Sequence, residues 1–220
     1  MSTPPPTTPD PSVDRSIDRR RAAIAGHTGD LATARSSLEH ADPKVRATAL
    51  GALNRLGALE VRELLDALGD DDAAVRRRAC EEATRWQIRS VDDLPPLPES
   101  VHAALARCLH DEDPTVIETA SWACGERPPV PSATLDRLIE LATTHQDALC
   151  REAAVAALGA IGDARGLPAI LAATGDRATV RRRAVIALAP FDGPEVDAAL
   201  DAARADRDWQ VRQAAEDLSP

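Results

Sequence analysis

Tyrosine is absent from this 220-residue chain, and phenylalanine and methionine occur once each. So few aromatics speak against β-sheets, whose strands draw on aromatic and β-branched residues, whereas an abundance of alanine and leucine suits many closely packed helices. Long apolar runs are missing as well. No stretch is long enough to cross a bilayer, and the opening Met1-Ser2-Thr3-Pro4-Pro5-Pro6 offers no apolar signal-peptide segment, so a cytoplasmic protein is expected. The four cysteines, Cys80, Cys108, Cys124 and Cys150, form no C-x-x-C pair and read as free thiols of a reducing compartment. Positive charge is the minority: 26 Lys and Arg against 36 Asp and Glu leave a net charge of -10. Phosphate contacts need a basic footprint, so nucleic acid is not the expected partner.

Chemistry-bearing motifs are also scarce. There is no G-x-S-x-G elbow, phosphate-binding glycine loop or dinucleotide fingerprint, so neither a catalytic residue nor a cofactor is expected. The five histidines, His27, His40, His102, His110 and His145, are scattered, and Cys108 with His110 falls short of the three or four ligands of a zinc site. The clusters Asp70-Asp71-Asp72 and Asp111-Glu112-Asp113 sit at helix starts, where carboxylates cap and complement the dipole, and no calcium-loop spacing accompanies them. No metal is expected.

What the sequence does contain is a period. Asp, two variable residues, an apolar anchor and usually Arg recur as Asp42-Pro43-Lys44-Val45-Arg46, Asp72-Ala73-Ala74-Val75-Arg76, Asp113-Pro114-Thr115-Val116-Ile117, Asp147-Ala148-Leu149-Cys150-Arg151 and Asp208-Trp209-Gln210-Val211-Arg212. A copy at Asp176 to Val180-Arg181 carries one extra residue. The anchors stand about 30 to 40 residues apart, the length of one helix-turn-helix repeat. Behind each, apolar residues recur at helical spacing, as in Val45, Ala49, Leu50, Leu53 and Leu56, which predicts the second helix of each pair. The Asp predicts an N-cap, Pro43 and Pro114 fit the first helical position, and Gly57 and Gly162 mark stops.

First helices are predicted at Asp30 to His40, Ala58 to Leu68, Ser100 to Leu109, Ser132 to Thr143, Asp163 to Thr174 and Pro194 to Ala205. A degenerate earlier unit is read around Arg20-Arg21-Ala22-Ala23-Ile24-Ala25. Residues 1–12, rich in Pro and Thr, are expected to form a disordered tail ahead of an array over 13–220. The array is interrupted by a longer loop at 87–98 and a second insertion at Arg127-Pro128-Pro129-Val130-Pro131.

These residues resemble the HEAT-repeat family. Arg151-Glu152-Ala153-Ala154-Val155-Ala156-Ala157-Leu158-Gly159-Ala160-Ile161-Gly162-Asp163 and Asp42 through Gly57 are similar to its short, Ala-rich repeats of the phycobilisome-lyase type. The resemblance implies an all-α fold, a right-handed α-solenoid of about six to seven helix pairs. It also implies that second helices line the concave face and that Arg46, Arg76, Arg151, Arg181 and Arg212 pair with Asp residues of neighbouring units in a ladder, interrupted at Ile117. Members range from scaffolds to lyase subunits and DNA-repair proteins, so the fold leaves function open.

The expected function is a non-catalytic protein-interaction scaffold. Trp122, six residues after its anchor and off the core stripe, is the candidate partner anchor, with Arg85, Glu118 and Glu126 beside it. The bland reading of Trp122 is that it fills a gap left by the insertions. Trp86 falls on the core stripe, and Trp209 is expected to pack locally. The triplets Arg19-Arg20-Arg21, Arg76-Arg77-Arg78 and Arg181-Arg182-Arg183 offer Arg77, Arg78, Arg182 and Arg183 as contacts for an anionic partner, although intervening repeats break the stripe. Two alternatives stand beside the scaffold: a lyase-like or chromophore-handling accessory subunit, implied by the repeat type, and nucleic-acid binding through the triplets. A partner protein or a second copy of the chain is expected to cover the C-terminal end of the array.

Overall fold

The structure, a computed structural model, describes residues 11–87 and 95–218. The Pro/Thr-rich opening through residue 10 and most of the 87–98 loop lie outside the described residues. Among the described residues there are 13 α-helices and no strand, arranged in two compact units, Met1–Asp93 and Leu94–Pro220. None of the helices is long and apolar enough to cross a membrane.

The first unit contains α1 (Pro11–Thr28), α2 (Leu31–Ser36, continued by a 3-10 turn at Ser37–Glu39), α3 (Pro43–Arg55), α4 (Val61–Leu68) and α5 (Ala73–Arg85). The second contains α6 (Glu99–Cys108), α7 (Pro114–Glu126), α8 (Ser132–Thr144), α9 (Ala148–Ile161), α10 (Leu167–Ala173, entered through a 3-10 turn at Ala164–Gly166), α11 (Ala178–Ala187), α12 (Pro194–Arg204) and α13 (Trp209–Asp217). The all-α array of helix pairs read from the sequence is present. α1 stands in the place of the degenerate leading unit, and six pairs follow it.

The predicted caps set the starts of the second helices. Asp42, Asp72, Asp113, Asp147 and Asp208 each accept the backbone N–H two residues on, satisfying a donor that the first turn would leave orphaned. Gly57 and Gly162 end α3 and α9 with φ of +66° and +70°, a region that side-chain-bearing residues avoid. Asp176 departs from the expected scheme. α11 is entered from Arg177 without a side-chain cap, because the extra residue puts Asp176 one place before the cap position, and Asp176 is drawn instead to Arg151.

In each unit the second helices stack in a row: α1, α3 and α5 in the first, α7, α9, α11 and α13 in the second. The anchors Val45, Val75, Val116, Cys150, Val180 and Val211 are at most 1 % exposed, so the motif marks a fully buried residue in every pair. Rows this tight need small residues. A Cβ on Gly26 would lie 2.7 Å from the Ala52 Cα, one on Gly125 3.0 Å from the Ala157 Cα, and one on Gly159 2.6 Å from the Ala187 Cα. Between α3 and α5 the same two positions hold Asn54 and Glu82, and the seam is polar. The Asn54 amide donates to the Glu82 carbonyl at 3.1 Å and to its carboxylate at 2.5 Å.

The arginines after the anchors tie turn to turn. Arg46 donates to both carboxylate oxygens of Asp70 (2.9 and 2.7 Å), Arg151 to both of Asp176 (2.6 and 2.8 Å), and Arg181 to both of Asp206 (2.9 and 2.8 Å). The third amino group of each, Nη1, donates to carbonyls of its own turn: His40 and Ala41, His145 and Gln146, and Asp176. Such two-pronged pairing suits the planar guanidinium. At the interruption Ile117 is buried, and the turn it would reach carries His145 in place of the acceptor Asp.

Candidate interaction surface

α7 turns Val116, Ala120, Ala123 and Cys124 into the core, which leaves residues 118, 122 and 126 along one outer line at intervals of four. Trp122 is 38 % exposed there, and its indole N–H donates to the Glu126 carboxylate at 3.1 Å. Glu118, one turn earlier, is half-buried. The structure thus places three of the candidate residues on one stripe of one helix. Arg85 belongs to the first unit, exposed in the last turn of α5.

The neighbours of α7 in its row shape what surrounds the indole. At the register of Trp122, α9 presents the half-buried Ala156 and α11 the exposed Ile186. A small side chain on the middle helix thus stands between two large apolar ones, with Glu118 and Glu126 at the Trp122 side. An exposed Trp supported by a hydrogen bond at its polar edge keeps most of its apolar face available at little entropic cost.

The arginine triplets do not form a block. Their first members, Arg76 and Arg181, bind turn carbonyls, and Arg181 also holds Asp206. Their third members turn toward carboxylates, Arg78 to Glu81 (3.0 Å) and Glu82 (2.6 Å) and Arg183 to Glu152 (3.6 Å). In these two triplets the middle members, Arg77 and Arg182, have no carboxylate partner among the described residues, and Arg182 is half-buried. Sequence reading missed this division of labour because adjacent residues on a helix point about 100° apart.

The four cysteines are buried. Burial, with Cys108 beside it, pushes the Cys124 thiol up to about 12, and burial, helped by Asp147 and Glu118, pushes Cys150 up to about 11, so neither supplies a thiolate at neutral pH. Trp86 is packed as expected, 4 % exposed with its indole N–H on the Leu59 carbonyl at 2.9 Å. Trp209 is not packed. It is 64 % exposed, because the first position of α13 faces away from the core set by Val211.

Sequence reading also kept apart two insertions that meet in space. The Arg127 guanidinium donates to the Pro95 carbonyl at 2.5 Å, joining the end of one insertion to the start of the other. Between them lies a cleft of about 370 Å³ walled by Leu97, Pro128 and Pro129, with His102 at its edge. Burial, with some help from Arg127, holds the His102 imidazole below its ordinary range. No signal in a single sequence marks two loops 30 residues apart as neighbours.

On the C-terminal helix, Glu216 is exposed at the register where Leu50, Cys80, Ser121, Val155 and Val185 are buried in the preceding second helices. Gln213 donates to Asp217 alongside it, at 2.8 Å. The outer side of α13 is therefore polar.

Three overlapping stretches, residues 61–159, 101–189 and 135–219, match the family model for HEAT repeats. No curated protein matches the chain. Among solved structures, E. coli YibA is 17% identical with a TM-score of 0.64, covering 95% of this chain and 75% of that one. The designed armadillo repeat protein YIII(Dq.V1)4CPAF, solved in complex with peptide (KR)4, is 18% identical with a TM-score of 0.63, covering 86% and 97%. An engineered protein is 20% identical with a TM-score of 0.62, covering 86% and 96%. At these identities the likeness is one of fold. Because the matched stretches together take in residues 61–219, and each holds the capped, anchor-centred helix pairs described above, the chain belongs to the HEAT-repeat family.

Proposed function

We propose that this chain is a non-catalytic scaffold of the cytoplasm that binds a protein partner on its second-helix face, the concave side in the family. The anchor is Trp122, flanked by Glu118 and Glu126. The observation that carries this reading is the exposed indole, held by Glu126 at 3.1 Å on a helix whose other large apolar residues, Val116 and Ile117, are buried. The designed armadillo repeat protein of similar fold, solved with peptide (KR)4, is a precedent for peptide capture by this architecture. Arg85, exposed in the first unit, is a separate candidate contact.

The test is a tagged pull-down from the native host, read by mass spectrometry, comparing wild type with Trp122→Ala once both are shown to be equally helical and stable. A partner recovered by wild type and lost by the variant supports the reading. If both recover the same partners, Trp122 is packing.

A further inference from the structure

The first unit holds a feature of opposite character. α3 is low at its centre: Gly51 has no side chain, Ala47 and Ala52 are small, and α1 lies so close that a Cβ on Gly26 would strike Ala52. The result is a trough of about 290 Å³, floored by Ala23, Ala47, Gly51 and Ala52 and edged by His27, Thr48, Arg55 and Arg78. The Arg78 guanidinium crosses Gly51 so closely that Nη2 lies 2.2 Å from where a Cβ would stand, so glycine here is what admits the cation.

The charges at the trough are unevenly neutralised. Arg78 is held by Glu81 and Glu82, yet its Nε–H is buried with no acceptor among the described residues. Thr48 donates to the Lys44 carbonyl. Arg55 Nη1 donates to the His27 Nε2, at 3.1 Å, and among the described residues neither has a carboxylate partner. The other guanidinium N–H groups of Arg55 lie at the mouth of the trough with no acid to hold them. A guanidinium beside an imidazole over a small apolar floor fits an oxyanion on a short aliphatic stem.

We propose that this trough is a binding site for a carboxylate or phosphate group, gripped by Arg55 with His27 beside it, its stem resting on Ala23, Ala47 and Ala52. The group arrives either on a free small molecule or on an acidic or phosphorylated side chain. The site lies in the first unit and does not depend on the reading of Trp122.

The test uses the full chain, followed by NMR at the His27 ring and the Arg55 side chain. It is titrated at constant ionic strength with inorganic phosphate, with acetate, and with short peptides bearing a central phosphoserine or glutamate. Saturable shifts are expected with at least one probe, weakened tenfold or more in Arg55→Gln and unchanged in Arg62→Gln, an exposed control outside the trough. Saturation by phosphate or acetate assigns a free ligand, and saturation by peptides alone assigns a side-chain oxyanion. The proposal is overturned if no probe saturates, or if Arg55→Gln, shown by circular dichroism to be folded, binds as wild type does.

Discussion

Arg151 reaches out of its own repeat to hold both carboxylate oxygens of Asp176, at 2.6 and 2.8 Å, in the turn between the two helices of the next. The same grip joins Arg46 to Asp70 and Arg181 to Asp206. In all three the carboxyl sits below the ordinary Asp range. The hydrogen bond from the arginine is the largest cause for Asp176 and Asp206; for Asp70 burial is the largest cause and pushes upward, but the Arg46 hydrogen bond, the Asp72 backbone hydrogen bond and the nearby cations together bring it down.

Because the folded-state values are depressed, the stabilisation is fully present above the unfolded Asp value of about 4 and is lost as pH falls through the lower folded values. Asparagine imitates the protonated acid. The triple variant Asp70→Asn, Asp176→Asn, Asp206→Asn is therefore less stable than wild type at pH 7, by about 1–2 kcal/mol per largely buried rung. The gap closes as the solution is acidified below about pH 4. Urea unfolding across a pH series measures it. A gap that stays constant with pH means that the rungs contribute by shape rather than by charge.

Tight stacking of the second helices makes a second prediction. Gly159→Ala puts a Cβ 2.6 Å from the backbone of Ala187, which cannot move aside without parting α9 from α11, so a loss of about 1–3 kcal/mol is expected. Gly69→Ala, where the nearest atom is 3.8 Å away and φ is -109°, is expected to stay within about 0.5 kcal/mol of wild type. Thermal unfolding of the two variants separates close packing from the general preference of helices for alanine.

How much of this was legible beforehand follows from range along the chain. The caps Asp42 and Asp147, the anchors and the glycine stops act within a few residues, and the sequence displays them directly. The arginine ladder was readable only through family resemblance, because its partners lie 24 or 25 residues apart. Trp122 was legible as an outward position because helical phase is local. The contact of Arg127 with Pro95 and the trough beneath Arg78 were not, since both depend on how separate helices meet. Trp209, expected to pack, is exposed because it stands at the first position of α13, on the side away from Val211.

Trp86 provides a third test. Its indole N–H satisfies the Leu59 carbonyl at 2.9 Å in a buried setting, so Trp86→Phe leaves that acceptor unpaired and removes part of the ring. A cost of about 1–3 kcal/mol is expected. Trp122→Phe, losing only a surface contact to Glu126, is expected to change stability by less than about 0.5 kcal/mol. Equal losses in the two variants would mean that Trp122 is as structural as Trp86.

The interruption of the ladder can be used to rebuild it. Ile117 occupies the arginine position of α7, and His145 occupies the acceptor position in the turn before α9, where its Nδ1 accepts the Asp147 N–H at 3.1 Å. Ile117→Arg alone buries a cation opposite an imidazole, and His145→Asp alone supplies an acid with nothing to bind it, so each single variant is expected to lose stability. Together they recreate the pair seen at Arg151 and Asp176, and the double variant is expected to be more stable than the sum of the singles by about 0.5–3 kcal/mol, the range of directly contacting residues. Strict additivity in denaturant unfolding would show that the turn before α9 cannot take the rung, and that isoleucine stands at 117 because the spacing there differs from that of the other repeats.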